Sequence, residues 1–332
     1  MKPLGRTILC ALFLALAARG AWAECVAAPD LAEYQQITPE DIAAGPTRLD
    51  RLGRVVAPIS VNGQGPFRFI VDTGANRSVV SQGLAERMGL FPSGTGEVHS
   101  VYGVSSAPLV NVDALQYGAL RLGGASLPML QGAILAGEHG LLGVDGMQGR
   151  RLLMDFERNC IEIVSSEGAR RLSGWTRVRG EMRFGHLVVI RGAVGRIPVS
   201  MFVDTGSNFT MANIALQNRL REQVRATRRR DPIRAFTAGQ PIVLDTALVL
   251  PRVDLGAIEA NNIVAYVGDF HIFRLWNLID EPALLLGMDV LSQTRGIAID
   301  YERATVHFRL RQPPRTGSRL AGPRAPGITV GF

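Results

Sequence analysis

The tetrapeptide Val-Asp-Thr-Gly stands twice in this chain, at Val71–Gly74 and again at Val203–Gly206. Apolar residues precede each copy (Phe69, Ile70; Met201, Phe202), and a small residue and an asparagine follow (Ala75, Asn76; Ser207, Asn208). The repeat continues downstream. Leu141-Leu142-Gly143-Val144-Asp145 is answered by Leu285-Leu286-Gly287-Met288-Asp289, and Met154-Asp155-Phe156-Glu157-Arg158 by Ile299-Asp300-Tyr301-Glu302-Arg303. The offsets are 132 residues for Asp72/Asp204, 144 for Gly143/Gly287 and 145 for Asp155/Asp300. The halves therefore differ by about a dozen inserted residues between the first two blocks and then stay nearly in register. Ordered self-similarity at so long a period means a duplicated domain, not a solenoid.

A lone Asp-Thr-Gly is weak evidence, because turns favour Asp and Gly for purely local reasons. Two copies, each inside the same order of blocks, ask for one site assembled from two similar halves. Two carboxylates held a few ångströms apart cannot both ionise comfortably, so one keeps its proton near neutral pH. The ionised partner can take a proton from water while the protonated one donates to a carbonyl oxygen. Their two apparent pKa values belong to the pair. Such chemistry needs no metal, cofactor or covalent intermediate. Gly74 and Gly206 let a tight turn bring N–H groups to a carboxylate, and Thr73 and Thr205 offer hydroxyls to cross-brace facing turns. The Leu-Leu-Gly segments suit buried strands beneath each turn.

Residues 1–23 read as an export signal: Lys2 and Arg6, an apolar stretch Thr7–Ala18, then Ala21-Trp22-Ala23. The competing reading is an uncleaved anchor, but a dozen apolar residues fall short of the roughly 20 a span requires. After cleavage no stable membrane span is expected. The net charge of +7 resides in the leader (Lys2, Arg6, Arg19) and in four tail arginines (Arg311, Arg315, Arg319, Arg324). The body between them is neutral, so the basic balance gives no reason to expect a nucleic-acid partner. Lys2 is the one lysine, which excludes lysine-based covalent chemistry in the mature chain. Cys25 and Cys160 either bridge, as export permits, or stay as separate thiols. The five histidines show no i, i+4 zinc-binding pair, and neither a G-x-S-x-G elbow nor a phosphate loop is present.

Coarse reading gives a mostly β chain with short helices. Residues 24–50 form an N-terminal segment, 51–166 a first lobe, 167–176 a linker within the connection Ser165–Trp175, 177–311 a second lobe, and 312–332 a basic, disordered tail. Arg54–Val61 and Phe67–Val71 read as a hairpin about Asn62-Gly63. Helices are expected over Ser81–Leu90 and Asn213–Arg225. Short strands are expected at Val98–Val101, Leu109–Leu115, Leu120–Leu122 and Leu127–Leu130, and in the second half at Leu187–Ala193, Val199–Val203, Ile242–Val249, Ile263–Val267, Ile297–Tyr301 and Thr305–Leu310.

From Phe69-Ile-Val-Asp-Thr-Gly-Ala-Asn-Arg-Ser-Val-Val into Leu84–Leu90, and again over Leu285–Arg303, the chain resembles the bacterial retropepsin-like aspartyl peptidases. The resemblance implies two closed, barrel-like β lobes with a cleft between them, and Asp72 and Asp204 as the catalytic dyad. Members usually pair two chains; here both units lie in one, which implies a monomeric pseudo-dimer. A covering flap is also implied, with Tyr102 and Gly103 within Ser100–Val104 as its first-half candidates. Thr237 and Gly239 within Phe236–Gly239 are the second-half candidates. Tyr102 read from its own surroundings is equally a half-buried strand aromatic. The expected activity is aspartic endopeptidase action on a peptide or protein in the periplasm or outside the cell. The alternative is a module of the same fold that binds an extended peptide or ligand without cutting it. Ala75 and Ser207 break the symmetry, and Ser207 is expected to donate to the Asp204 carboxylate and make Asp204 the more acidic partner.

Overall fold

The computed structural model describes residues 26–27, 54–118, 120–131, 133–158, 160–221, 226–235, 242–311 and 320–321. The leader, most of the N-terminal segment, Cys25, the second flap candidates Thr237 and Gly239, and nearly all of the tail lie outside them.

Strand β1 (Val26–Ala27) is followed by the hairpin β2 (Val56–Val61) and β3 (Gln64–Val71). The expected Asn-Gly turn joins them, with Asn62 and Gly63 both at positive φ (50° and 75°), as such two-residue turns require. Strand β4 (Val79–Ser81) leads into helix α1 (Gln82–Arg87). Ser81 caps that helix, its Oγ accepting the Leu84 N–H at 3.1 Å. Then come β5 (Pro92–His99), β6 (Val104–Tyr117), β7 (Leu120–Leu130) and β8 (Gly140–Leu142). Of the short strands read from the sequence, Leu109–Leu115 is a piece of β6, Leu120–Leu122 and Leu127–Leu130 are the two ends of β7, and Val98–Val101 runs from the end of β5 into the following turn. Exposed and half-exposed residues interrupt the buried ones along β6 and β7 and hid the strands' continuity.

Strands β2, β3, β8, β4, β7 and β6 pair in that order, and β6 pairs back with β2 to close a barrel. Closure leaves no bare edge among those six. Its interior holds Ile59, Phe69, Leu84, Val110, Leu115, Leu127 and Leu142, all essentially inaccessible.

Strands β9 (Arg150–Asp155) and β10 (Cys160–Ser165) leave the barrel, and the expected connection brings the chain to β11 (Thr176–Arg183). The second lobe repeats the order with β12 (Leu187–Val194), β13 (Ile197–Val203) and β14 (Met211–Asn213). Helix α2 (Ile214–Leu220) follows, capped by Asn213, whose Oδ1 accepts the Leu216 N–H at 2.9 Å. It ends earlier than the Arg225 that the sequence suggested; residues 222–225 lie outside the described part. Next are β15 (Ala226–Ala235), β16 (Ile242–Asp254) and β17 (Glu259–Gly268), then helix α3 (His271–Leu275), which the sequence reading missed. Strand β18 (Ala283–Leu286), helix α4 (Met288–Leu291), β19 (Gly296–Asp300), β20 (Thr305–Arg309) and β21 (Leu320–Ala321) complete the described chain. Here too the strands form a ring, β12-β13-β18-β14-β17-β16, which β12 and β16 close.

The repeated Asp-aromatic-Glu-Arg blocks turn out to build the joint between the lobes. Strands β9 and β19 pair antiparallel, Leu152 opposite Ile299 and Asp155 opposite Gly296, giving the order β1-β10-β9-β19-β20-β11. In each block the aspartate closes the turn. Asp155 Oδ1 accepts the Glu157 and Arg158 N–H groups (both 3.1 Å), and Asp300 Oδ1 accepts the Arg303 N–H (3.0 Å). Cys160, on β10 of this sheet, is disulfide-bonded.

Candidate active site

Each Val-Asp-Thr-Gly begins on the last strand residue of a barrel hairpin. Val71 and Val203 end β3 and β13, and β8 and β18 run parallel beside them. The Leu142 carbonyl accepts the Asp72 N–H (2.9 Å), and the Leu286 carbonyl accepts that of Asp204 (3.0 Å). The Leu-Leu-Gly blocks therefore do fix the turns from beneath. The turns face one another across the lobe interface.

The threonines brace them reciprocally. Thr73 N–H donates to Thr205 Oγ1 and Thr205 N–H to Thr73 Oγ1, both at 3.1 Å. Each hydroxyl then donates backwards across the interface, Thr73 to the Val203 carbonyl (2.7 Å) and Thr205 to the Val71 carbonyl (2.6 Å). Both residues are buried, so these bonds act without competing water.

The glycines are needed for closeness. A Cβ on Gly206 would lie 2.2 Å from Asp72 Cγ, and one on Gly74 2.7 Å from Asp204 Cγ. Each glycine thus makes room for the opposite carboxylate, and the two carboxylates hydrogen-bond to each other. Asp72 Oδ1 accepts the Gly74 N–H (2.9 Å); Asp204 Oδ1 accepts those of Gly206 (2.9 Å) and Ser207 (3.1 Å).

Burial raises the pKa of both carboxyls. Asp204 goes further, because the charge on Asp72 and the hydrogen bond between the two add to burial. At Asp72 the backbone N–H of Gly74, the bond from Asp204 and the positive charge of Arg54 oppose the rise. Asp72 is also the more exposed of the two. The pair therefore holds one proton, on Asp204, with Asp72 as the ionised member. This reverses the sequence expectation that Ser207 would acidify Asp204. The Ser207 hydroxyl turns away and donates to the Phe209 carbonyl at 2.9 Å, so only its backbone reaches the carboxylate.

A second polar pair supports each turn, and the sequence reading did not single it out. Ser78 Oγ donates to Asp145 (2.6 Å), its N–H to the other carboxylate oxygen (2.9 Å), and Gly143 N–H donates to Ser78 Oγ (3.0 Å). Thr210, Asp289 and Gly287 repeat this at 2.8, 3.1 and 3.1 Å. Ser78 and Thr210 each lie six residues after their aspartate, so aligning the halves would have exposed the repeated hydroxyl. Asp145, which the repeated block aligns with Asp289, does the same work. Burial raises the Asp289 carboxyl to about 6 against the pull of the Thr210 hydrogen bonds.

A cavity of about 350 Å³ opens over the pair. Its first-lobe wall includes Val98, Val101, Leu130, Ile134 and Leu141, and its second-lobe wall Phe209, Met211, Ile272 and Trp276. Trp276 is held by stacking on Phe202 (centroids 4.2 Å apart, 18° between planes) and Phe184 (5.5 Å, 21°). The Phe184 carbonyl accepts from Asn76 Nδ2 (2.9 Å), tying that stack to the first turn.

Residues 100–103 form the tip between β5 and β6. Gly103 and Tyr102 N–H groups donate to Ser100 Oγ (3.2 and 3.3 Å), and Ser100 N–H donates to the Gly103 carbonyl (2.8 Å). Tyr102 points down into the cavity. Its hydroxyl donates to Met211 Sδ (3.5 Å), and its ring meets that of Phe270 edge-on at 5.4 Å. Burial, with the Asp204 charge, raises its hydroxyl pKa. Among the described residues no group of three or more His, Cys, Asp or Glu is placed to hold a metal ion.

A family model described as aspartyl protease matches residues 57–145 and, a second time, residues 188–290. The chain belongs to the aspartyl protease family. Each match coincides with one barrel and includes one Asp-Thr-Gly turn, so two aspartyl protease units are fused in this chain. No curated protein matches it.

Proposed function

We propose that this aspartyl protease is an exported endopeptidase that hydrolyses peptide bonds with water activated between Asp72 and Asp204. The observation that carries this reading is the close approach of two buried carboxyl groups, held against each other by reciprocal threonine bonds and by glycines that leave room for them. Asp72, ionised, takes a proton from water lying between the carboxylates. Asp204, protonated, donates to the carbonyl oxygen of the scissile bond, which stabilises the charge that builds there. The proton Asp72 gained then passes to the leaving amine as the C–N bond breaks, Asp204 recovers one from a hydroxyl of the tetrahedral intermediate, and the pair returns to its starting state. The disulfide at Cys160 supports an oxidising, extracytoplasmic location. Because the active turns come from one chain, the working unit is a single copy.

Two expectations test the reading. Apolar walls on both sides of the dyad favour large apolar side chains on both sides of the cut bond. Cleavage of a random peptide library, with the new termini read by mass spectrometry, should be enriched in Leu, Ile, Phe and Met at both positions. Cuts centred on charged residues would contradict it.

The second expectation concerns pH. Both carboxyls sit above the ordinary 3.8. As pH falls, activity is lost when Asp72 gains a proton; as pH rises, it is lost when Asp204 surrenders one. Both limbs of a bell-shaped kcat/KM profile should therefore lie above pH 3.8, the upper one furthest displaced. A profile whose acid limb falls below that value would show that the pair is less buried than the structure has it.

A further inference from the structure

The hairpin tip over the dyad is joined to the opposite lobe. Ile272 N–H, in α3, donates to the Val101 carbonyl at 3.2 Å. Beside it the imidazoles of His99, at the end of β5, and His271, at the start of α3, lie end to end and nearly coplanar, with centroids 5.3 Å apart and planes 13° from parallel. His99 Nδ1 and His271 Nε2 are 3.0 Å apart, a hydrogen bond in which one ring donates and the other accepts. Both tip contacts therefore bridge the cleft directly above the site, and a bound chain must pass beneath them or break them.

We infer that His99 and His271 form an acid-released latch that holds the tip against the second lobe and gates access to the dyad.

The chemistry lies in the count of protons. Facing nitrogens 3.0 Å apart accommodate one hydrogen between them, whether the pair carries no charge or one. A second proton would set two N–H groups head to head and place two positive charges in adjoining rings, which breaks the bond and repels the partners. The surrounding charges do not cancel this. Glu97 on β5, 3.7 Å from His99 Nε2, is a single carboxylate against two ring charges. On the other side Arg274 opposes a charge on His271, and Asp269 is already paired with Arg274. Burial, His99 and Arg274 together lower the His271 pKa from the ordinary 6.5.

The sign follows. The closed form binds fewer protons than the open one, so closure is complete above about pH 6.5 and weakens as pH falls below it. The latch thus opens in the direction in which the dyad becomes singly protonated.

The consequence for access rests on the peptidase reading above, but the latch itself does not, so its test omits substrate. Hydrogen exchange would be followed at the Ile272 amide in full-length Asp72→Asn protein, corrected for the intrinsic pH dependence of exchange. The Trp276 amide, which bonds to the Ile272 carbonyl within α3 at 3.0 Å, serves as internal reference. Relative protection of Ile272 should fall up to about tenfold per pH unit below about pH 6.5. In the same background His271→Phe, which keeps a ring at this position but cannot titrate, should remove the pH dependence. Equal slopes in the two proteins, or no slope in the parent, would overturn the proposal. Imidazole titration by NMR provides an independent check: two separated steps are expected, which merge into one in His271→Phe. A single simultaneous step for both rings in the parent would also contradict it.

Discussion

Asn in place of Asp72 or of Asp204 is expected to lower kcat on the order of 10⁴-fold or more, and the double substitution should lose no more than either single one. Asn matches Asp in shape, so the turns keep their glycine clearances and threonine bonds; what disappears is the shared proton. With Asn at 72 no base faces the water, and with Asn at 204 no acid faces the carbonyl. The two carboxyls act as one unit, which is why their losses cannot add. Folding should not suffer. Burial has raised both carboxyl pKa values, so the folded state binds more protons than the unfolded chain. Its stability therefore declines as pH rises from the ordinary carboxylate value through the raised ones. An amide escapes that decline, and Asp204→Asn should match or exceed the parent's stability at pH 7 while gaining less at pH 4. Steady-state kinetics of the three variants, with urea denaturation at both pH values, measure all of this. Additive losses would mean two independent sites.

Thr205→Val is expected to be costly although it leaves both carboxylates in place. Valine has nearly the same shape, but it strips the hydroxyl that accepts from Thr73 N–H and donates to the Val71 carbonyl. Both groups are then left buried without that partner, at roughly 1–3 kcal/mol each. We expect about 2–5 kcal/mol of lost stability. Activity should fall about 10²-fold, because the brace also sets the separation of the two turns. Thr73→Val should behave alike, since its hydroxyl makes the same pair of bonds in reverse. Thr205→Ser restores the oxygen and should recover most of the loss. A Thr205→Val protein within about 0.5 kcal/mol of the parent would show that the brace is incidental.

The duplicated tetrapeptide made the heart of the site legible because its chemistry is local: an aspartate, a hydroxyl and a glycine at fixed spacing in each half. The hairpin at Asn62-Gly63 and the capped helices at Ser81 and Asn213 were legible for the same reason. What escaped depends on the chain's path through space. The Asp155 and Asp300 blocks were visible as repeats, yet nothing local shows that β9 and β19 pair with each other to join the lobes. Strands β6 and β7 hid their length behind exposed and half-exposed residues. Ser207 pointed to the carboxylate by sequence distance, but its hydroxyl rotamer favours the Phe209 carbonyl. His99 and His271 stand 172 residues apart, so only the closed cleft brings them together.

The central claim is that one pair of carboxylates cuts peptide bonds. Its most direct measurement incubates the full chain, beside Asp72→Asn of equal stability, with an unfolded protein between pH 4 and 7, and counts new termini by mass spectrometry. New termini from the parent alone, between apolar residues, are the result predicted here. The same termini from both proteins, or none from a parent shown to be folded, would contradict the account and turn the cleft into a site that binds an extended chain without cutting it.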